Sequence, residues 1–227
     1  MPVGDLLSKV VPLGIGAAFT PSLLALQILV VSGDPWHRRS LAVAAGAGSA
    51  FGIVGLLALL GFAQLPAQSA SAGGGDIVGG LIRLAAAGVL AGVTVFMLCP
   101  HPVLQKRVEA SISARAARAS LVAFFVMPFL LSIKDVSSFV LLIPAMHDIA
   151  VSPAALFDRV IALVVLYALA LIGVLAPPAA RLALGHRAER PMQAIYRFTM
   201  DNQFRIVGVV ALVMTVYLVV SGVAELR

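Results

Sequence analysis

Lys134 and Asp135 are adjacent charged residues within an otherwise apolar stretch, Ala119–Ile143. If that stretch is one helix, Lys134 is its sixteenth residue and lies about 22 Å along it. A charge at that depth of a hydrocarbon layer costs about 2.5 kcal/mol or more, so it should face protein or water and have a partner. The pair predicts a site for an anionic group or a proton. A structural ion pair, or a lysine that reaches the membrane surface, is the alternative interpretation.

The partners of these two charges are expected on other helices. Neighbouring helical residues point about 100° apart, so Lys134 and Asp135 should not pair with each other. Arg83, inside another apolar stretch, is the candidate partner of Asp135. Gln27 is the candidate partner of Lys134, because aligning Pro21 with the later proline Pro128 places Gln27 opposite Lys134.

Thr20-Pro21 is the second feature that could support chemistry. A proline inside a membrane helix removes one backbone hydrogen bond and obstructs another, which frees carbonyl groups. Transporters bind solutes at such interrupted helices near the middle of the bilayer. Many membrane helices also tolerate proline for packing alone. Function and packing both remain open for Pro21, whereas packing is favoured for Pro128.

The remaining polar residues do not favour an enzyme or a metal site. The four histidines fall at the ends of apolar stretches or in loops without zinc-ligand spacing. His147 and Asp148 are expected to be solvated in a loop, which leaves Asp135 as the clear carboxylate within an apolar stretch. Catalytic triad and phosphate-loop signatures are missing from the sequence. The chain is therefore not expected to be an enzyme or to need a cofactor or metal.

Small residues recur at a spacing of four in two stretches, as Ala44, Gly48 and Gly52 and as Gly88 and Gly92. This spacing lets helix backbones approach closely. It predicts packing within the subunit, or a homo-oligomer formed through these Gly/Ala faces.

The composition identifies the elements that must position these residues. Of 227 residues, 61% are hydrophobic and 11% charged, and the mean hydropathy is +1.05. A soluble protein cannot cover so much apolar surface. Six stretches are long enough to cross a bilayer as helices: Val10–Val31, Ser40–Leu60, Ile77–Leu98, Ala119–Ile143, Leu156–Ala176 and Ile206–Val223. The predicted fold is an all-α integral membrane protein with six spans.

Basic residues indicate how these spans are oriented. The net charge is +6, and most Lys and Arg lie in the first, third and fifth loops. Such a bias places those loops in the cytoplasm and both termini outside. It also explains the charge without nucleic acid as a partner. Residues 99–118 form a basic cytoplasmic linker between two three-span halves, 1–98 and 119–227. An odd number of crossings in each half predicts inverted repeats.

Several short segments resemble the LysE exporter superfamily. They are Pro21-Ser22-Leu23-Leu24, the basic loop Trp36-His37-Arg38-Arg39, and Ser132-Ile133-Lys134-Asp135 followed by Phe139 to Pro144. The segment from Gly16 to Pro21 is most similar to the actinobacterial GAP branch, the peptidoglycolipid-addressing proteins. In this chain Ser132 and Ile133 stand in place of the Asn and Pro of the superfamily's Asn-Pro-Lys signature, so only its lysine, Lys134, carries over.

The resemblance implies a small secondary exporter that moves a cell-envelope lipid or glycolipid across the inner membrane. A proton gradient is the expected driving force, with Lys134 on an anionic head group and Asp135 or Arg83 setting its charge state. The candidate substrate and translocation residues are Thr20, Pro21, Gln27, Arg83, Ser132, Lys134 and Asp135. The expected partners are membrane lipids and the lipid or glycolipid substrate. Two alternatives are an exporter of a small solute such as an amino acid, and a non-transporting membrane assembly factor for lipid biosynthesis.

Overall fold

A computed structural model describes residues 3–63, 76–99 and 120–226, and every regular element within these ranges is a helix. The helices are α1 Val3–Ala17, α2 Pro21–Val31, α3 Trp36–Ala63, α4 Ile77–Leu98, α5 Leu121–Lys134, α6 Val136–Val151, α7 Leu156–Ala170, α8 Ile172–Leu184 and α9 Glu189–Glu225. A 3-10 turn, Gly185–Ala188, joins α8 to α9. The prediction of an all-α protein is confirmed for these residues. The linker 99–118 lies outside them except for Cys99.

The first apolar stretch is divided into two helices. Helix α1 ends at Ala17 and α2 begins at Pro21, with a bend of 67° between them. Proline has no N–H to donate and disfavours a helical conformation in the residue before it. Thr20 accordingly leaves the helical region, with φ −111° and ψ 86°. The apolar stretch is therefore a bent pair of helices and not one continuous helix with Pro21 inside it, because Pro21 is the first residue of a new helix.

The fourth apolar stretch is divided in the same way at Asp135. Helix α5 ends at Lys134, α6 begins at Val136, and the two are bent by 72°. No proline causes this break, since Pro128 lies inside α5. Instead the Asp135 carboxylate caps α6 by accepting from Ser138 N at 3.4 Å, and aspartate favours such a capping position over a helix interior. The expectation that Lys134 lies inside one continuous helix is wrong.

Three to five segments could cross a membrane, judged by length and composition. Three qualify as they stand, within Trp36–Phe62, Ile77–Leu98 and Ile172–Glu225, and each bent pair adds one if it forms a single span. The protein thus has apolar helices of the length that a membrane protein needs. Helix α7 alone has 15 residues, about 22 Å against a hydrocarbon core of about 30 Å. The predicted total of six remains a prediction.

The segment 177–204, predicted to be a cytoplasmic loop, is mostly helical. Helix α8 continues to Leu184 and α9 begins at Glu189. Met192, Met200 and Gln203 are buried on one face of this part of α9, while its arginines are exposed. Together with the buried Thr199 they are spaced by three, four and seven, as in an amphipathic helix. The loop prediction was wrong because the arginines of this part of α9 lie on the exposed side of a helix with this period.

Helices α4 and α9 cross closely at two glycines. A Cβ atom added to Gly80 would lie 3.0 Å from the Gly222 carbonyl oxygen, and one added to Gly222 would lie 3.1 Å from the Gly80 oxygen. The predicted glycines behave differently, because a Cβ at Gly52, Gly88 or Gly92 would meet no described atom within 4 Å. These three glycines have no close neighbour among the described residues, and packing through their faces in a homo-oligomer stays a prediction.

The helices of the two halves are interleaved. Helix α3 packs against α5 and α6. Helix α1 packs against α7, and α2 packs against α8. A further pair of contacts joins α4 to α6 and α2 to α9, and α4 runs along α9. Every helix from α1 to α4 thus packs against the second half of the chain. This interleaving brings the two helix breaks together.

Candidate functional site

The breaks in the two bent helix pairs lie against each other. Thr20, in the first break, donates its hydroxyl to Asp135 Oδ2 at 2.7 Å. Ser138, in the first turn of α6, has its Oγ 3.0 Å from the Ala17 carbonyl oxygen and 2.7 Å from Asp135 Oδ2. Its single proton can serve only one of these acceptors at a time. The end of α1 is therefore tied to the start of α6 by hydroxyl groups.

Asp135 is held by hydroxyl and amide donors rather than by a cation. Besides Thr20 and Ser138, the Ser137 hydroxyl donates to Asp135 Oδ1 at 2.5 Å. Within the described part of the chain no basic side chain forms an ion pair with Asp135. The predicted pairing with Arg83 is wrong. The carboxylate is fixed in position while its negative charge has no basic counterpart among these residues.

Lys134 lies at the end of α5 on the wall of a cavity of about 240 Å³. Its side chain is exposed, and it makes no hydrogen bond or ion pair with any described residue. Asp135, Ser137 and Gln203 are other polar residues of the wall, and Thr20 and Pro21 line it from the opposite break. The structure thus brings four predicted residues, Thr20, Pro21, Lys134 and Asp135, to one cavity.

Gln27 is not the partner of Lys134. It is fully buried and donates its amide to the Ser40 hydroxyl of α3 at 2.6 Å. The bend after Thr20 directs α2 toward α3, so Gln27 stabilises the contact between these two helices. The predicted Gln27–Lys134 pairing is wrong.

Ser132 lies one turn before the break at Asp135. Its carbonyl accepts from Asp135 N at 2.9 Å. Its side chain is fully buried, and the hydroxyl has no hydrogen-bond partner among the described residues. Ser132 therefore helps to form the turn at the break, and it does not line the cavity.

A second, larger cavity of about 590 Å³ adjoins the first. Both cavities are lined by Phe19, Thr20 and Pro21, so the α1–α2 break separates them. The other walls come from α1, α2, α7, α8 and α9 and are almost entirely apolar: Ile15, Ala18, Leu24, Leu169, Ile172, Gly173, Ile195, Phe198, Thr199 and Ile206. The first cavity, called the polar cavity because Lys134 and Asp135 are on its wall although apolar side chains also line it, and the apolar cavity therefore lie on opposite sides of three residues.

Arg83 belongs to a different cluster of charges. Its Nη2 lies 2.7 Å from Asp148 Oδ2 and its Nη1 lies 2.9 Å from Glu225 Oε1, which also contacts Lys9 Nζ at 3.1 Å. Arg83 and Asp148 are almost completely buried, with side chains 3% and 4% exposed. Met97, the cavity residue of α4, follows Arg83 by about 21 Å along the helix. Arg83 is thus not part of the cavity at the breaks.

Sequence reasoning misplaced His147 and Asp148, which were expected in a solvated loop. Both lie inside α6 and are buried, at 2% and 5% exposure. Asp148 follows the buried residues Leu141 and Ala145 by seven and three positions, which places it on the same helix face. That spacing was visible in the sequence and could have identified Asp148 as a buried charge.

Comparison with known proteins identifies the family. Residues 10–224 match the family described as Sap, sulfolipid-1-addressing protein. No curated protein and no solved structure gives a significant match. The family match extends over both helix breaks and both cavities, and it includes Arg83 and Asp148 of the charge cluster, while Lys9 and Glu225 lie just outside it. This chain of apolar helices matches the family model along almost its whole length, and it belongs to the Sap, sulfolipid-1-addressing protein family.

Proposed function

We propose that this protein is a secondary transporter of the plasma membrane that exports or flips an amphipathic envelope lipid or glycolipid. The observation that carries the proposal is the polar cavity between two facing helix breaks, with Lys134 and Asp135 on its wall. Interrupted helices of this kind bind solutes in secondary transporters. The family's description as sulfolipid-addressing favours a lipid cargo with an anionic head group.

In this mechanism Lys134 attracts the head group. Its ammonium has no partner among the described residues, so binding an anion does not require an existing ion pair to break. Pro21 and Ser22, at the start of α2, line the same cavity. The N-terminus of a helix carries a partial positive charge. Both groups therefore favour a sulfate, phosphate or carboxylate in the cavity.

Asp135 is the proposed proton carrier. Its carboxylate faces the same cavity and is held by neutral donors that can turn as its charge changes. A proton on Asp135 would remove the negative charge beside Lys134 and strengthen its attraction for an anionic head group. Release of the proton would weaken that attraction, which links transport to a proton gradient.

The matched contacts of the two halves support an architecture of inverted repeats with six spans. If the halves are repeats, α1, α2, α3 and α4 correspond to α5, α6, α7–α8 and α9, respectively. The α3–α5 contact then corresponds to the α7–α1 contact. In the same way the α2–α8 contact corresponds to the α6–α3 contact, and the α4–α6 contact corresponds to the α9–α2 contact. Both members of each pair are observed. We propose that residues 1–98 and 119–227 are these repeats, as the resemblance to the LysE superfamily implies, and that both termini lie outside the cytoplasm, as the distribution of Lys and Arg favours.

Reconstituted protein provides the test. Proteoliposomes would contain a fluorescent sulfatide as the anionic probe and fluorescent phosphatidylcholine as the zwitterionic control, and a membrane-impermeant quencher would report movement between leaflets. We expect gradient-dependent movement of sulfatide, lost in Lys134→Ala and largely kept in Lys134→Arg. Lys9→Ala, which removes a lysine from the distant charge cluster, is the control. Wild-type rates in Lys134→Ala would overturn the head-group site.

The same vesicles separate the alternative functions. Movement of labelled amino acids without movement of sulfatide would indicate an exporter of small solutes. If the purified protein moved neither cargo but co-purified with a lipid-synthesising enzyme, the assembly-factor interpretation would replace the transport proposal.

A further inference from the structure

The larger cavity is suited to a hydrocarbon chain. Its volume of about 590 Å³ lies within the range of about 300–1,000 Å³ found for small-molecule sites. None of the residues that line it carries a charge, and the polar side chains among them are Thr20 and Thr199. Thr20 donates its hydroxyl to Asp135 on the other side of the break. A polar solute would therefore find few hydrogen-bond partners here, whereas an alkyl chain needs none.

The position of this cavity identifies its occupant. It meets the polar cavity at Phe19, Thr20 and Pro21. One molecule that extends past these three residues would have one end in the polar cavity and the other end in the apolar cavity. Lys134 is on the polar side, and side chains such as Leu169, Ile172 and Phe198 are on the apolar side. An anionic lipid has this distribution of charge and hydrocarbon.

We propose that the apolar cavity between α1, α2, α7, α8 and α9 binds an acyl chain of the same lipid whose anionic head group occupies the polar cavity. This inference rests on the proposed function and specifies its substrate class, namely an anionic lipid whose chain stays inside the protein during transport. Lipid tails are about as apolar as leucine, so the chain gains little by leaving the bilayer. The cavity instead keeps the chain out of water while the head group moves.

Helix α8 offers a matched pair of substitutions. Ile172 lines the apolar cavity and is 51% exposed, while Leu175, in the same helix, does not line it and is 44% exposed. Ile172→Trp adds an indole to the proposed chain site. Leu175→Trp places the same side chain on another part of the helix. Lys134 is unchanged in both variants, so the head-group site is intact in each.

Two measurements in proteoliposomes test the inference. We expect Ile172→Trp to slow sulfatide movement by about tenfold, the scale on which a filled pocket discriminates between ligands. Its binding of galactose 3-sulfate, the water-soluble head group, should stay unchanged, and Leu175→Trp should match wild type in both measurements. Wild-type sulfatide movement in Ile172→Trp would overturn the chain site and leave the proposed function standing.

Photo-crosslinking of the wild-type protein gives a readout that does not depend on a variant's folding. A sulfatide with a diazirine near the end of its chain should label peptides that contain Leu169, Ile172 or Phe198. A phosphatidylcholine with the same chain should label the outer surface without this preference. Equal labelling patterns for the two lipids would contradict the inference. If the wild type neither moved sulfatide nor bound galactose 3-sulfate, the proposed function would fail, and the chain site with it.

Discussion

The Thr20 hydroxyl donates to Asp135 Oδ2 at 2.7 Å, across 115 residues of sequence. This hydrogen bond joins the break in one bent helix pair to the break in the other. It fixes a carboxylate beside a cavity that also contains Lys134. The relative position of the two breaks, and hence the shape of the cavity, depends on this contact and on the neighbouring Ser138–Ala17 contact.

Thr20→Val removes the hydroxyl with little change in shape. Asp135 keeps Ser137 and Ser138 as donors, so we expect a loss of about 1 kcal/mol in the free energy of unfolding, as for one hydrogen bond. Sulfatide transport should fall even though most of the protein stays folded, because the two helix breaks are no longer tied together by this hydrogen bond. Thermal unfolding in detergent and flipping in vesicles would measure the two effects. Thr20→Ser should restore both, and wild-type transport in Thr20→Val would contradict a role for the contact.

Asp135→Asn separates the charge of this residue from its capping role. Asparagine caps helices about as well as aspartate, so the unfolding temperature should change little. Transport driven by a proton gradient should be lost, because the amide cannot carry a proton at neutral pH. Asp135→Ala removes the cap of α6 and also the acceptor of the Thr20, Ser137 and Ser138 hydroxyls, so it should lose more stability than Thr20→Val, about 2 kcal/mol or more. Proton-driven transport at the wild-type rate in Asp135→Asn would exclude Asp135 as the proton carrier.

Asp148→Leu leaves a buried guanidinium without one of its two partners. Removing one member of a buried ion pair costs about 3–5 kcal/mol, so a strong loss of stability is expected even though Glu225 remains beside Arg83. Replacing both Arg83 and Asp148 by leucine should recover part of the loss. Lys9→Ala, at the more exposed end of the cluster, should cost about 1 kcal/mol or less. Equal losses for Asp148→Leu and Lys9→Ala would contradict the assigned burial.

Gly222→Ala tests the crossing of α4 and α9. Its Cβ would lie 3.1 Å from a backbone oxygen of α4, so the helices have to separate, at a cost of about 1–3 kcal/mol. Gly88→Ala, on the open side of α4, meets no described atom within 4 Å and should stabilise the monomer by up to about 1 kcal/mol, because alanine favours a helix over glycine. Chemical crosslinking of Gly88→Leu would test the predicted homo-oligomer. A fully stable Gly222→Ala would contradict the close crossing.

The sequence predicted the class of fold and the main cavity residues from local information. Apolar stretches and buried charges are read directly along the chain, which is why Pro21, Lys134 and Asp135 were identified as site candidates. The break at Asp135 was missed because a side-chain cap, and no proline, ends α5. The Arg83 and Gln27 pairings failed because partners between distant helices depend on bend angles that no local pattern specifies.

The buried charges around Arg83 constrain how this protein can change shape. They join α1, α4, α6 and α9, so helices from both halves of the chain meet in one network of opposite charges. Any rearrangement that separated these helices would leave ions unpaired in a medium of low polarity, which is costly unless water enters or new partners form. Water that reached these four side chains would lower the cost of leaving them unpaired. Hydration of the cluster and separation of the four helices are therefore expected to occur together.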